Sequence, residues 1–402
     1  MKARRKRTRV SLMLSMTSER RAGRTDVVVR GKPDMGHAWI DGKPVALQAA
    51  ISEAGKLLAA CRAPVLAGLG TDIAGTRAVI ALAQRLGGAV DHFHSGTVLR
   101  DLAVTREAGM MVTTPTEARL RADVFLLIGA DLVEAWPRER LSLLSAGLPA
   151  NPDTARRIIW LCPGRAGAKN IGVKQPQVIG RSPADLAVLL AALRARLAGH
   201  PVGKTRIAAK LLDGLAADLR GARFGVAVWS AAELDELAIE MLCGLVADLN
   251  TKTRFTSFSF APADNALGVL QACGWMTGFP MRTGFGRGYP EHDPWRFDAT
   301  RLVESGEADG ALWISAYRAA TPEWKRQMPM VALTAEGASF RHAPRVQIEV
   351  GRPGVDHDAV EHCPATGTLI AVAASQQSGR LSVADVIAQI AATLPSTAAW
   401  PC

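Results

Sequence analysis

The sequence lacks any pair of closely spaced cysteines. Its six cysteines stand at positions 61, 162, 243, 273, 363 and 402, and no two of them form a C-x-x-C pair. Iron–sulfur clusters are held by groups of cysteine thiolates, so the sequence offers no site of that kind. Isolated cysteines in a chain of 402 residues are typical of a reducing cytoplasm, where they serve as small apolar packing residues.

The sequence also lacks a hydrophobic run of the ~18–20 residues that a membrane span requires. The stretch from Ala184 to Ala198 is interrupted by Asp185, Arg194 and Arg196. A G-x-S-x-G motif is absent too, so serine-hydrolase chemistry has no support. We therefore predict a cytoplasmic globular protein without membrane association, long enough for two domains.

Positive charge is concentrated at one end of the chain. Residues 1–25 hold nine lysines and arginines and one glutamate, a net +8 out of the total of +11. The folded body is only mildly basic and has no basic helical stripe with interleaved aromatics, so we expect no nucleic-acid partner.

The basic segment itself has three interpretations. A secretory signal needs an apolar core of roughly 7–15 residues, and the stretch from Val10 to Met16 is too short and too polar. We predict that residues 1–35 are a basic, disordered extension. The alternative is a start codon placed too far upstream, with Met16 or Met35 as the true start.

After this extension, predicted strands and helices alternate. Apolar residues at helical spacing predict helices over 46–61 and 73–86, on either side of a buried strand at 64–70. Asp72 can cap the second helix, and Gly87-Gly88 ends it. Further strands are predicted over 89–94, 122–129, 157–162, 222–229, 254–260, 309–314, 330–333 and 346–350. Further helices are predicted over 99–108, from Trp136, and over 183–197, 206–219, 234–249 and 383–394, with a loop over 166–179. The alternation predicts a doubly wound α/β protein with mostly parallel sheets.

One block is more specific than this pattern. Residues 265–280 (NALGVLQACGWMTGFP), 282–290 (RTGFGRGYP) and 297–314 (FDATRLVESGEADGALWI) read as a helix, a Gly-rich loop, a second helix and a buried strand. This block, with 36–45 (GHAWIDGKPV), 121–131 (RADVFLLIGAD) and 136–138 (WPR), resembles the B subunit of formylmethanofuran dehydrogenase, a molybdenum- or tungsten-pterin enzyme. The resemblance covers most of residues 36–355. It implies two doubly wound domains, a discontinuous frame domain (36–95 and 255–402) and an inserted domain (96–254).

The departures from that family concern its redox chemistry. The family's catalytic subunit begins with a cysteine-rich cluster module, whereas this chain has no cysteine before Cys61. The family also carries a metal-ligand cysteine just after the second strand. Here residues 91–100 read DHFHSGTVLR, and Thr97 falls near the ligand position. A hydroxyl is a poor substitute for a thiolate on molybdenum or tungsten, so the resemblance implies that the redox cofactor has been lost.

With these departures the chain resembles the B subunit of the four-subunit formyltransferase/hydrolase complex of methylotrophic bacteria. The resemblance implies a non-catalytic scaffold in one-carbon metabolism and formaldehyde oxidation. In that complex a formyl group passes from formyl-tetrahydromethanopterin to a methanofuran-type carrier and is released as formate. The implied partners are a formyltransferase subunit, an amidohydrolase-type hydrolase subunit and a dehydrogenase-like C subunit. The carrier and zinc would belong to those partners, and no cofactor, metal or catalytic residue is expected in this chain.

Six residues are predicted to mark a vestigial pocket: His92, His94, Thr97, Gly278, Arg282 and Arg287. The H-x-H pair is either a zinc pattern or the polar rim of an emptied pocket. The Gly-rich loop with its arginines is either a phosphate or pterin pyrophosphate cradle or a structured loop that contacts a partner. Gly68, Gly70 and Gly75 miss the G-x-G-x-x-G spacing and favour a tight strand-to-helix turn over a dinucleotide site.

Two other functions stay open at this point. A redox subunit could still bind a molybdopterin or tungstopterin cofactor through a hydroxyl or water ligand, and an independent α/β protein could bind a small ligand without any complex. Five aromatic residues are either packing residues or interface anchors, and sequence alone does not sort them: Trp229, Trp275, Phe279, Trp295 and Trp313.

Overall fold

The structure is a computed structural model that describes residues 37–129, 132, 156–163, 176–180, 182–203, 207–232, 234–376 and 378–395. The predicted basic extension over residues 1–35 and the helix predicted from Trp136 lie outside these ranges. None of the helices within them is of a length and apolarity that would let it traverse a lipid bilayer.

The described strands and helices alternate along most of the chain. In chain order the strands are β1 (Ala38–Ile40), β2 (Lys43–Pro44), β3 (Pro64–Gly70), β4 (Ala89–His92), β5 (Val124–Ile128), β6 (Arg157–Leu161), β7 (Gln177–Ile179), β8 (Gly225–Trp229), β9 (Phe255–Ser259), β10 (Thr283–Gly284), β11 (Glu291–His292), β12 (Gly310–Ser315), β13 (Met330–Thr334), β14 (Val346–Glu349), β15 (Ala359–Cys363) and β16 (Thr368–Val372). The helices are α1 (Leu47–Ala60), α2 (Ile73–Leu86), α3 (Ser95–Ala108), α4 (Pro115–Arg121), α5 (Leu186–Leu197), α6 (Ala209–Arg220), α7 (Glu236–Leu249), α8 (Ala266–Thr277), α9 (Ala299–Ser305) and α10 (Val383–Thr393).

These strands form two large sheets. The first has nine strands in the order β11-β10-β4-β3-β12-β13-β14-β1-β2, and its five central strands, β4 to β14 in that order, are parallel. The second has five strands in the order β7-β6-β5-β8-β9, all parallel. Strands β15 and β16 pair as a separate hairpin. The predicted α/β fold class with mostly parallel sheets is confirmed.

The second sheet extends past the boundary predicted for the inserted domain. Strand β9 pairs with β8 from Phe255 to Ser259, and the backbone N–H of Phe260 donates to the carbonyl of Trp229. We therefore propose that the boundary lies after Phe260 rather than before residue 255. The division into a frame and an insert is otherwise still a prediction.

The two faces of the nine-stranded sheet are covered differently. One face is buried beneath α1, α2, α8 and α10, which together with the strands form the largest apolar core. On the other face, the apolar cluster is built from Val65, Ala67, Ala311 and Trp313 with the short helix α9 and Trp324. This second cover consists mainly of loop, and it leaves room for a cavity at the ends of the strands.

Local signals explain some boundaries and miss others. Asp72 caps α2 by accepting a hydrogen bond from the Gly75 N–H at 2.9 Å, and Gly87 ends the helix at φ 67°, as predicted. Helix α3 instead begins at Ser95, four residues before the predicted start. The buried Ser95 hydroxyl accepts a hydrogen bond from the N–H of His92 at 3.1 Å, a tertiary contact that fixes this start. Strand β7 and the hairpin β15–β16 were not predicted.

Gly68 allows β3 and β12 to approach each other. Its φ is +83°, and a Cβ atom built there would lie 2.4 Å from the carbonyl oxygen of Ile314. The pairing between β3 and β12 shifts register at this point. The glycine is therefore required by both conformation and space, which is a structural reason for its place near the end of the strand.

We expect Gly68→Ala to lower the free energy of unfolding by about 2–4 kcal/mol, because it adds backbone strain to a steric clash. Gly274→Ala on α8 is the matched control, since nothing lies within 4 Å of a Cβ there. Removing a helical glycine should raise stability by about 0.5–1 kcal/mol. Denaturant unfolding of both variants measures this, and equal effects would contradict the account.

Candidate functional site

A cavity of about 380 Å³ lies at the carboxyl ends of β3, β4 and β12. In the sheet, β4 lies on one side of β3, and β12 lies on the other side, so the strand order reverses direction at β3. This change of direction is the point at which open α/β sheets usually bind ligands. The lining includes Gly68, Asp91, His92, His94, Arg282, Asp298, Trp313, Arg318 and Trp324.

Both ring nitrogens of His92 are engaged inside the protein. The His94 N–H donates to Nδ1 at 3.0 Å, so Nδ1 is the acceptor of the ring. Nε2 then carries the proton and donates to the carbonyl of Asp264 at 3.1 Å. Burial lowers the pKa of His92 to about 3, which keeps the imidazole neutral. In this arrangement His92 has no free lone pair for a metal ion.

His94 lies in the turn after β4 rather than on the strand. Its ring centroid is 5.6 Å from that of His92, so the two rings still belong to one cluster. Its Nε2 lies 3.4 Å from Oδ2 of Asp264, whose side chain is nearly buried. The same oxygen accepts a hydrogen bond from Nε of Arg318 at 2.8 Å. The carboxylate of Asp264 is thus shared by two groups that line the cavity.

Arg282 is held by two carboxylates and a carbonyl. Its side-chain nitrogens lie 2.5 Å from Oδ2 of Asp298, 3.5 Å from Oδ1 of Asp91 and 2.6 Å from the carbonyl oxygen of Pro294. The other oxygen of Asp91 accepts from the N–H of Ala299 at 2.9 Å, at the start of α9. Burial raises the pKa of Asp91 to about 6, although nearby Arg282 opposes the shift. The guanidinium is therefore committed to internal partners.

The other predicted pocket residues lie elsewhere. Thr97 sits in the first turn of α3, where its N–H donates to the carbonyl of His94 at 3.1 Å, and it does not line the cavity. Gly278 ends α8 with φ 79°. Arg287 pairs with Glu291 at 3.2 Å at the hairpin tip, beyond the opposite end of β4. The structure brings together His92, His94 and Arg282 and separates them from Arg287, so the Gly-rich loop does not surround the cavity.

Sequence reasoning missed Asp264, Asp298 and Arg318. Asp264 and Asn265 both have positive φ, 58° and 60°, immediately before α8. A side chain at Gly268 would lie 2.1 Å from Oδ1 of Asn265. Asp and Asn tolerate the left-handed region better than most residues. The consecutive Asp264 and Asn265, with Gly268 three residues after Asn265, were therefore the available sequence signal for this turn.

The donor set of this site lacks a thiolate. Burial, together with the nearby negative charge of Asp91, raises the pKa of the Cys273 thiol to about 12. Within the ranges that the structure describes, no three His, Cys, Asp or Glu side chains are grouped as metal ligands. The site is a neutral histidine beside compensated ion pairs.

We expect Asp91→Asn to remove a pH dependence of stability. The pKa of Asp91 rises from 3.8 to about 6 on folding, so its stabilising contribution is fully present below about pH 4 and is lost as the pH rises through about 6. The stability of the wild type relative to the variant should fall by about 3 kcal/mol over that range. Denaturant unfolding of both proteins at matched pH measures it, and a constant difference would contradict the assigned titration.

Comparison with known proteins identifies the family. No family model matches the chain. Over 322 residues, which are 79% of this chain and 85% of the relative, it is 36% identical to the B subunit of the formyltransferase/hydrolase complex (Fhc) of Methylorubrum extorquens. Over 292 residues it is 27% identical to the B subunit of the tungsten-containing formylmethanofuran dehydrogenase 2 of Methanocaldococcus jannaschii, and it covers 65% of that relative.

The structural comparison agrees. The chain matches the X-ray crystal structure of the formyltransferase/hydrolase complex FhcABCD from Methylorubrum extorquens, in complex with methylofuran, with a TM-score of 0.78 and 33% identity. The match covers 88% of this chain and 97% of that chain. Identity and coverage both favour the formyltransferase/hydrolase complex over the dehydrogenase alternative that the sequence left open. The chain belongs to the family of formyltransferase/hydrolase complex B subunits, which is related to the B subunits of formylmethanofuran dehydrogenases.

Proposed function

We propose that this chain is a non-catalytic, structural subunit that holds the other subunits of a formyltransferase/hydrolase complex together. Its partners are a formyltransferase subunit, an amidohydrolase-type formyl hydrolase subunit and a dehydrogenase-like C subunit. They move a formyl group from formyl-tetrahydromethanopterin to a methanofuran-type carrier and hydrolyse it to formate. The observation that carries the proposal is the pairing of the charged groups at the cavity with internal partners, in a chain of this family.

The residues present do not fit the tungsten-pterin centre that the name of the dehydrogenase relative implies. Thr97 falls near the position where the dehydrogenase family carries its metal-ligand cysteine, and a hydroxyl is a weak ligand for such a metal. The nearby imidazole of His92 uses both nitrogens for internal hydrogen bonds. The thiol of Cys273 is kept protonated by burial. We assign no catalytic step to this chain.

The charges at the cavity support the same conclusion. A site that binds a phosphate or pyrophosphate needs cationic groups that are free to accept it. Arg282 is instead neutralised by Asp91 and Asp298, and Arg318 by Asp264. These pairs bind strand ends and loops to one another. We propose that they now link the strand ends and loops at the carboxyl edge of the first sheet, and that zinc and the carrier are bound by partner subunits.

The described cysteines support a cytoplasmic location for this function. Cys61, Cys162, Cys243 and Cys273 are free of disulfides. Burial raises the pKa of each of these four thiols. Unreactive thiols of this kind are typical of a reducing compartment.

We expect Thr97→Ala to leave formyl transfer and hydrolysis by the assembled complex within about two-fold of the wild type, because the hydroxyl holds no metal. The measurement is steady-state turnover of the complex purified after co-expression with its partner subunits. Thr105→Ala, on the exposed side of the same helix, is the control.

A loss of ten-fold or more in Thr97→Ala alone, with assembly intact, would contradict the non-catalytic assignment. The structural assignment has a separate test in the same system. Partner subunits expressed without this chain should fail to form the complex and should lose the coupled reaction. Full transfer and hydrolysis in its absence would overturn the structural role.

A further inference from the structure

The hairpin β15–β16 ends in a strand whose outer edge has no partner within the part of the chain that the structure describes. Strand β16 pairs with β15 alone, and the hairpin belongs to neither of the two large sheets. Thr368, Ile370 and Ala371 on this strand are exposed. The strand therefore presents both backbone and side chains to solvent.

The outward backbone groups of β16 belong to Leu369 and Ala371. On β15, the N–H of His362 donates to Oδ1 of Asn265 at 2.9 Å, so this N–H points away from β16. Residues that lie opposite each other in an antiparallel pair turn their N–H and C=O groups either toward each other or both outward. Leu369 lies opposite His362, so its groups face outward, and the groups of Ala371 do the same two residues later. We call Leu369 and Ala371 the free edge.

The edges of the two large sheets are short or covered. The first sheet ends in β2 and β11, which have two residues each, and β2 consists of a lysine and a proline. Both residue types oppose the addition of a further strand. In the second sheet β7 has three residues, and the outer side of β9 is occupied. There the N–H of Ser257 donates to the carbonyl of Met111 at 2.8 Å, and the carbonyl of Ser257 accepts from the N–H of Thr113 at 2.9 Å. Among the described sheet edges, five-residue β16 lacks this protection.

The sequence around the free edge carries no charge. Residues 364–379 include no aspartate, glutamate, lysine or arginine, and β16 reads TLIAV, a sequence that favours strand pairing. A different subunit is selected by complementary charges or by features that repel wrong partners, and β16 offers no charge for either purpose. A second copy needs only that no like charges face each other. The composition therefore favours a second copy as the occupant.

A two-fold axis beside Ile370 brings two free edges into register. Leu369 of each copy then lies opposite Ala371 of the other, and each of these two pairs exchanges two backbone hydrogen bonds. The Ile370 residues of both copies face each other as a non-hydrogen-bonded pair, in which side chains approach most closely. All four outward groups of each free edge are bonded in this arrangement.

We propose that the free edge is a homodimer contact, through which two copies of this chain join their hairpins into one four-stranded antiparallel sheet. The proposal goes beyond the structural function and does not depend on it, because the full chain by itself carries the edge.

A cysteine on the two-fold axis tests the register. In a non-hydrogen-bonded antiparallel pair the two Cα atoms are about 4.5 Å apart, which a disulfide can bridge. Ile370→Cys in the full chain should therefore give a covalent dimer on mild oxidation, read on a non-reducing gel. Val188→Cys is the matched control, since Val188 on α5 is 62% exposed and Ile370 is 36% exposed. The control should cross-link no more than the wild type.

Ala371→Pro tests the strength of the contact. Proline removes one outward N–H from each copy but no hydrogen bond within the hairpin, because that N–H does not face β15. The dimer dissociation constant, measured by sedimentation equilibrium, should rise by at least about ten-fold. Thermal unfolding should stay unchanged. Ile370→Lys, which places like charges on the axis, should weaken the dimer as well, whereas Val188→Lys should not.

Three outcomes would overturn the homodimer contact and leave the structural function standing. The first is a wild-type chain that stays monomeric and an Ile370→Cys variant that does not cross-link. The second is a dimer that both Ala371→Pro and Ile370→Lys leave intact, which would place the contact on another surface. The third, measured in the co-expressed complex, is the loss of a different subunit in both variants, which would make that subunit the occupant of the free edge.

Discussion

Two consecutive residues with left-handed backbone, Asp264 and Asn265, tie together the carboxyl edge of the first sheet. Each positive φ costs about 1 kcal/mol for a residue with a side chain, and four hydrogen bonds of about 1 kcal/mol each offset that cost. The four bonds reach the segment after β3, the end of β4, the segment after β12, and β15. Their partners are Thr71, His92, Arg318 and His362.

This connection decides what the polar residues of the cavity can do. The carbonyl of Asp264 accepts the hydrogen bond of the single N–H group of the His92 ring. The carboxylate of Asp264 accepts a hydrogen bond from Arg318. Asp91 and Asp298 hold Arg282 in the same manner. Histidine, aspartate and arginine at strand ends are the residue types expected of a catalytic or phosphate-binding site. Here the charged groups pair with one another, and these pairs join strand ends to the neighbouring loops.

Sequence reasoning succeeded where the signal was local. The cap at Asp72, the stop at Gly87 and the buried strand β3 follow from side-chain and backbone preferences of a few residues. The family followed from the 265–314 block together with the missing cysteines. The start of α3 was misplaced because a tertiary hydrogen bond from His92 to Ser95 fixes it. The hairpin β15–β16 was missed because its strands are only partly buried and carry little periodicity.

The arrangement of the candidate site was harder to predict than the fold. Arg282 and Arg287 are five residues apart in the sequence. Strand β10, which lies between them, pairs antiparallel with β4, so the two arginines lie near opposite ends of β4. Nothing in a Gly-rich loop reveals that direction. Burial of Trp313 and exposure of Trp295 likewise depend on which elements cover them. Composition cannot distinguish the two residues, since both stand in the same block of sequence.

A structural role in a hetero-oligomeric complex, without a redox metal in this chain, is tested most directly by native mass spectrometry. The protein is tagged and purified from its own host, and the metals of the same sample are analysed. The account predicts an assembly with three different partner subunits, with zinc confined to the hydrolase partner and neither molybdenum nor tungsten present. A lone chain, or molybdenum or tungsten near one atom per chain, would contradict it.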